Sequence, residues 1–176
     1  MPAFLERIPL QKMRFMAAAF VFTAALVLYC VTLAPTVTFV DSGELLVVSD
    51  GLGVAHPPGF PLYVLLAHFA SLLPVGSIAV RVHLASALFG ALAAAMMTLL
   101  VTELMLMSSP AAGKNKKRAQ KDQPNVPFAA NVLGPAVVAG LLFAFSRTLW
   151  AYATVAEVYT LNSLLIVTIL WLMFAW

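Results

Sequence analysis

A chain of 176 residues that is 62% hydrophobic and 10% charged departs far from a soluble domain, in which roughly 25% of residues are charged, and reads as an integral membrane protein. Its net charge of +3 does not point to nucleic acid, because the basic residues flank apolar runs or sit in one linker. One cysteine, Cys30, leaves no intrachain disulfide to form and the redox compartment undetermined.

Residues 1–14 form a basic flank with Arg7, Lys12 and Arg14. The apolar run 15–34 that follows is longer than the roughly 7–15 residues of a signal-peptide core, and "LAPT" after it is a poor cleavage site, so it reads as a retained anchor. The segment 59–74, "GFPLYVLLAHFASLLP", falls short of the roughly 20 residues of a comfortable span and suits a surface or re-entrant helix. Residues 84–107 make a second span, and 108–127 a linker carrying "KNKKRAQK". The run from 128 onward is long enough for two more, 128–146 and 158–176, joined by a connection that carries Arg147 and Glu157.

Charge sets the order of crossing. Basic segments stay cytoplasmic, so an even number of spans must separate the N-terminal flank from the linker 108–127. That holds if 15–34 and 84–107 cross and 59–74 does not. The expected fold is therefore an all-α integral membrane module over 15–176, with about four transmembrane helices. An exoplasmic loop, 35–82, carries one or two short surface helices, the first from about Ser42 to Gly51 and the second from about Gly59 to Leu73. The acids of that loop and the Arg147–Glu157 connection then face the same side.

Asp41 and Glu44 in "VDSGELL" lie three apart, on one face of a helix. They fit a capping box, with Asp41 at the N-cap and Glu44 at the third helical position, and "SDGLG" fits a glycine-ended C-terminus at Gly51 or Gly53. They equally fit a general base and its partner at a membrane surface, and the spacing leaves both readings open. "HPPGFPLY" reads as a stiff elbow holding the chain extended after His56, with Pro58 or Gly59 opening the next helix. No second His or Cys stands at metal spacing from His56. Arg147 can snorkel to the interface, whereas Glu157, short and followed by "VYTLNSLLI", cannot do so easily. Trp150, Tyr152 and Tyr159 fit an interfacial belt, and "SALFGALAAA" fits close helix packing.

Taken in order, "VDSGELL", "LGVAHPPGFPLYVLL", "RVHLASALFGAL" and "WAYATVAEVYTLNSLL" resemble the N-terminal part of membrane-embedded GT-C-type glycosyltransferases of the protein O-mannosyltransferase-like kind. The resemblance runs from about residue 35 to the end, apart from the linker 108–127. It implies transfer of a sugar, mannose by that likeness, from a polyprenyl- or dolichyl-phosphate donor to a Ser or Thr hydroxyl of an acceptor protein on the exoplasmic or lumenal side. It further implies a multi-pass location, in the endoplasmic reticulum membrane of a eukaryote or the plasma membrane of a bacterium, with no cofactor or metal beyond the lipid-linked donor. Carried onto this sequence, it makes Asp41 the catalytic base with Glu44 beside it. His56, Glu157 and Arg147 become substrate-binding residues, Arg147 meeting the lipid phosphate. His83 stands where relatives often have Asn and receives no role.

Such enzymes have many more helices than four, so the chain is expected to be a truncated piece. The competing reading is a non-catalytic scaffold or transporter fragment whose acids cap helices. A transporter places its polar residues near the bilayer midplane, whereas here they gather at one face.

Overall fold

The computed structural model describes residues 10–38, 41–108 and 128–176. Those residues form seven α-helices and no strand: α1 Leu10–Val31, α2 Ser42–Gly51, α3 Pro61–Ser71, α4 Ile78–Ser108, α5 Phe128–Ala144, α6 Arg147–Ala153 and α7 Tyr159–Ala175. The basic linker, from residue 109 to 127, and the flank before Leu10 lie outside the described residues.

Two helices, α1 with 22 residues and α4 with 31, are each long and apolar enough to cross a membrane. A third candidate is α5 with α6, bent by 60° where they meet. The break has a local cause: the Ser146 hydroxyl donates to Phe143 O (2.7 Å) and accepts from Leu149 N–H (3.4 Å), ending one helix and capping the next. At 17 residues, α7 spans about 25 Å, the short end of what reaches across a bilayer.

The two long helices run antiparallel. Arg14 of α1 pairs with Glu103 of α4 at one end, while at the other the His83 ring on α4 bonds to Ala34 O just beyond α1 (2.9 Å). The start of α1 and the end of α4 therefore share a side, as the charge argument requires. The 11 residues of α3 reach only about 16 Å, short of a span, and α3 packs on the first turns of α4. Its Tyr63 hydroxyl meets Ser86 Oγ (2.9 Å), and its His68 donates to Ser49 O of α2 (2.9 Å). Arg81 closes this end, its guanidinium donating to the carbonyls of Ser71, Val75 and Gly76 at 2.8–3.0 Å.

At the centre of the bundle is α4, whose face is built from small residues. Ala85, Ala87, Ala91, Ala93, Ala94 and Ala95 are all buried. Helices in lipid associate through close packing, which small side chains permit. A Cβ at Gly140 of α5 would lie 2.1 Å from Thr98 Oγ1 and 3.1 Å from Ala94 O, so α5 lies with its backbone directly on α4. Tyr29, fully buried, donates to Ala144 O (2.8 Å) and ties α1 to the end of α5.

Several local expectations are corrected. The left-handed residue ending α2 is Leu52 (φ 50°), not Gly51 or Gly53. The N–H groups of Leu52 and Gly53 both return to Val48 O there, and the Leu52 side chain is exposed. Helix α3 begins at Pro61 behind Phe60 (φ 44°), not at residue 58 or 59. Proline suits the first helical position because its missing N–H is not needed there.

Candidate functional site

Asp41 immediately precedes α2, and the expected capping box does not form. Its backbone is already helical (φ −76°, ψ −4°) and its side chain makes no cap hydrogen bond. A capping side chain needs an extended backbone to fold back over the first turn, so the Asp41 carboxylate is left free. Glu44 likewise does not return to the Asp41 N–H. Its carboxylate reaches 12 residues along the chain to His56, accepting from the backbone N–H (2.6 Å) and from Nδ1 of the ring (2.8 Å).

The elbow makes this grip possible. The chain does not run extended after His56. Gly59 N–H donates to His56 O (2.8 Å), Gly59 sits at φ 89°, where only glycine is comfortable, and the Pro57–Pro58 bond is cis. The ring packs edge-on against Phe60, with centroids 5.5 Å apart. Held by Glu44 through Nδ1, it turns Nε2 toward Asp41, 3.9 Å from Oδ2. The three side chains remain 40–50% exposed, open to a ligand. The Glu44 bond and charge raise the His56 pKa, assisted by Asp41 and Glu157, and the same bonds lower that of Glu44.

Glu157, in the turn between α6 and α7, is the buried member, only 3% exposed. Burial pushes its carboxyl pKa up, and the negative charge of Asp41 adds to the effect, while the Val158 N–H and His56 oppose it. The structure thus gathers Asp41, Glu44, His56 and Glu157 at one end of the bundle. It does not bring in Arg147. That residue opens α6 and is exposed, and among the described residues no hydrogen bond or ion pair joins it to the four. Its side of the fold carries a separate cleft of about 220 Å³, lined by Ser146, Thr148, Tyr152, Tyr159 and Asn162 among others and without a carboxylate.

Asp41, Glu44 and His56 each offer one ligand atom within 4.8 Å of the others. Two carboxylates and an imidazole at that spacing match the donors of a divalent cation, although a cation would have to displace the direct Glu44–His56 bonds. Sequence reasoning missed the residues that support this site. His83, Ser86 and Tyr63 are all buried, and the one visible signal was polar side chains near the head of an otherwise apolar span.

The model of the protein O-mannosyl-transferase TMEM260 N-terminal domain matches residues 41–176, beginning at the first of the clustered carboxylates. The chain belongs to this family. It is 37% identical over 147 residues to the mouse protein O-mannosyl-transferase TMEM260, covering 83% of this chain and 17% of the relative. To the Dictyostelium discoideum protein O-mannosyl-transferase tmem260 it is 25% identical over 166 residues, covering 93% of this chain and 17% of the relative. The chain thus spans 17% of the length of these relatives. No solved structure matches it.

Proposed function

We propose that this chain supplies the catalytic loop of a membrane-embedded GT-C-type O-mannosyltransferase. The transferase moves mannose from a polyprenyl- or dolichyl-phosphate donor to a Ser or Thr hydroxyl of an acceptor protein on the exoplasmic face. Family membership supports the reaction class, and one observation supports the site: the Asp41 carboxylate is uncapped, exposed and flanked by a ring that Glu44 holds in place.

In this reading the acceptor hydroxyl oxygen attacks C1 of the sugar. The bond from C1 to the phosphate oxygen breaks, and the lipid phosphate leaves with the bonding electrons. The hydroxyl proton passes to Asp41, the general base. Glu44 keeps the imidazole directed at Asp41. Glu157 walls the site from the turn between α6 and α7. Arg147, exposed at the start of α6, is left to meet the lipid phosphate.

The alternative, a scaffold whose acids cap helices, predicts a cap hydrogen bond from Asp41, and none is present. The deciding experiment is Asp41→Asn in the full-length protein, measured as mannose transferred per folded molecule. The amide keeps the shape but cannot take a proton, so the rate is expected to fall at least ~100-fold. Near-normal turnover removes Asp41 as the base.

A further inference from the structure

Two polar residues on α4, His83 and Ser86, are fully buried at the level of the acidic site but are not part of it. Three positions apart, they share one face of the helix. The Ser86 hydroxyl has one proton and two lone pairs, and each finds a partner. The proton goes to Glu157 O (3.3 Å), while the oxygen accepts from Glu157 N–H (3.2 Å) and from the Tyr63 hydroxyl (2.9 Å). Both backbone groups of Glu157 are therefore fastened to a single side chain, which α3 braces from behind.

His83 performs the matching task for Asp41. Ala34 O can only accept, so Nδ1 carries the proton of that bond (2.9 Å), and in the neutral ring Nε2 accepts from the Ser42 hydroxyl (3.4 Å). Ser42 is buried, opens α2 and directly follows Asp41. Ala34 in turn donates its N–H to Thr154 O (3.0 Å), at the start of the turn that carries Glu157. His83 thus reaches both acid-bearing segments, one through Ser42 and the other through Ala34.

We propose that His83 and Ser86 are positioning residues for the carboxylate site: from one face of α4 they fasten the backbone segments that carry Asp41 and Glu157, and so set the separation of the two carboxylates. The inference rests on the transferase reading above and deepens it. Its competitor is plain satisfaction of backbone groups, which irregular chain in a membrane protein needs in any case. The two differ in what they do to turnover. Loss of simple satisfaction removes folded protein, whereas loss of positioning slows the molecules that do fold.

The test uses the full-length protein with Ser86→Ala, Tyr63→Phe, Glu157→Gln and the Ser86→Ala/Glu157→Gln double variant, assayed for mannosyl transfer per monodisperse molecule, with kcat and donor KM separated. Ser86→Ala is expected to lower kcat at least ~10-fold at a nearly unchanged KM, since small misplacements at a reacting centre are costly. In the Glu157→Gln background the same change is expected to cost no more than ~2-fold, because the carboxyl it positions has already been removed. Ser86→Ala at wild-type turnover, or a loss undiminished by Glu157→Gln, overturns the proposal. Should Ser86→Ala not fold, Tyr63→Phe carries the test, because it removes the brace and keeps both Ser86–Glu157 bonds. It is expected to lose ~3-fold in kcat, with the loss vanishing beside Glu157→Gln, and no loss overturns the proposal. Asp41→Asn in the same assay separates the two readings. Full turnover there sinks Asp41 as the base, whereas its loss alongside a normal Ser86→Ala sinks only the positioning.

Discussion

The two ends of α4 handle charge in opposite ways. At the basic end one acid meets one base: Glu103 pairs with Arg14, both largely buried, with the Arg14 guanidinium also 5.1 Å from the ring of Phe15. Acid and base are matched one to one there. At the acidic end Asp41, Glu44 and Glu157 gather around His56, whose charge is conditional. Three carboxylates around one titratable ring leave acceptor capacity unspent. The same residue types build a strut at one end and a reactive site at the other, and the deciding difference is whether partners balance.

That contrast can be broken most forcefully by comparing carboxylates. Asp41→Asn is expected to cost at least ~100-fold in turnover per folded molecule, while Glu103→Gln, remote from the site, stays within ~2-fold of wild type. Equal losses at both ends would dissolve the distinction. Glu44→Gln comes next, with an expected ~10-fold loss in kcat if Glu44 only orients His56, and a loss matching Asp41→Asn if the two acids share the proton.

Stability should show the reverse asymmetry. Arg14→Met leaves Glu103 without its partner and is expected to cost roughly 2–4 kcal/mol, whereas Arg14→Met/Glu103→Met recovers most of that, since an apolar pair replaces the buried ions at little net cost. Denaturation in detergent reads both. An Arg14→Met protein as stable as wild type would show that the strut carries no weight.

The finest test is the titration of His56. Its pKa is raised and that of Glu44 lowered, each mainly by their shared hydrogen bond. The charged pair therefore persists between those two values. It is lost as pH falls through the lowered Glu44 value and the carboxylate protonates, and lost as pH rises through the raised His56 value and the ring gives up its proton. Nuclear magnetic resonance of His56 is expected to give a midpoint above the ordinary value of about 6.5, moving down in Glu44→Gln. A midpoint indifferent to Glu44 contradicts the grip seen here.

Much of this architecture was legible before any coordinates. Run length separated the two long spans from the short 59–74 segment, and the basic clusters predicted that α1 and α4 run antiparallel. The bounds Ser42 and Gly51 of α2 were read from local residues and recur in the fold. These features depend on neighbours within a turn or two, or on summed transfer energy along a run, and a linear sequence states both directly.

What required the tertiary structure was every pairing between segments. "DSGE" reads as a capping box until the backbone at Asp41 proves helical and Glu44 is found on His56 instead. Helix α3 turns Tyr63, Val64, Ala67 and Ser71 inward and leaves Leu65 47% exposed, a rotation that only its packing fixes. Arg147 and Glu157 bounded the same connection in sequence, but the short helix α6 separates them and only Glu157 turns into the site. The supports His83 and Ser86 showed only as polar side chains near the head of an apolar span, with nothing to say what they hold. Which side chains meet across helices depends on how far each helix is rotated and how closely it approaches, and here close contacts such as Gly90 against Ala153 and Gly140 against Thr98 set both. Those contacts join residues far apart in the chain, so composition, periodicity and spacing carry no record of them.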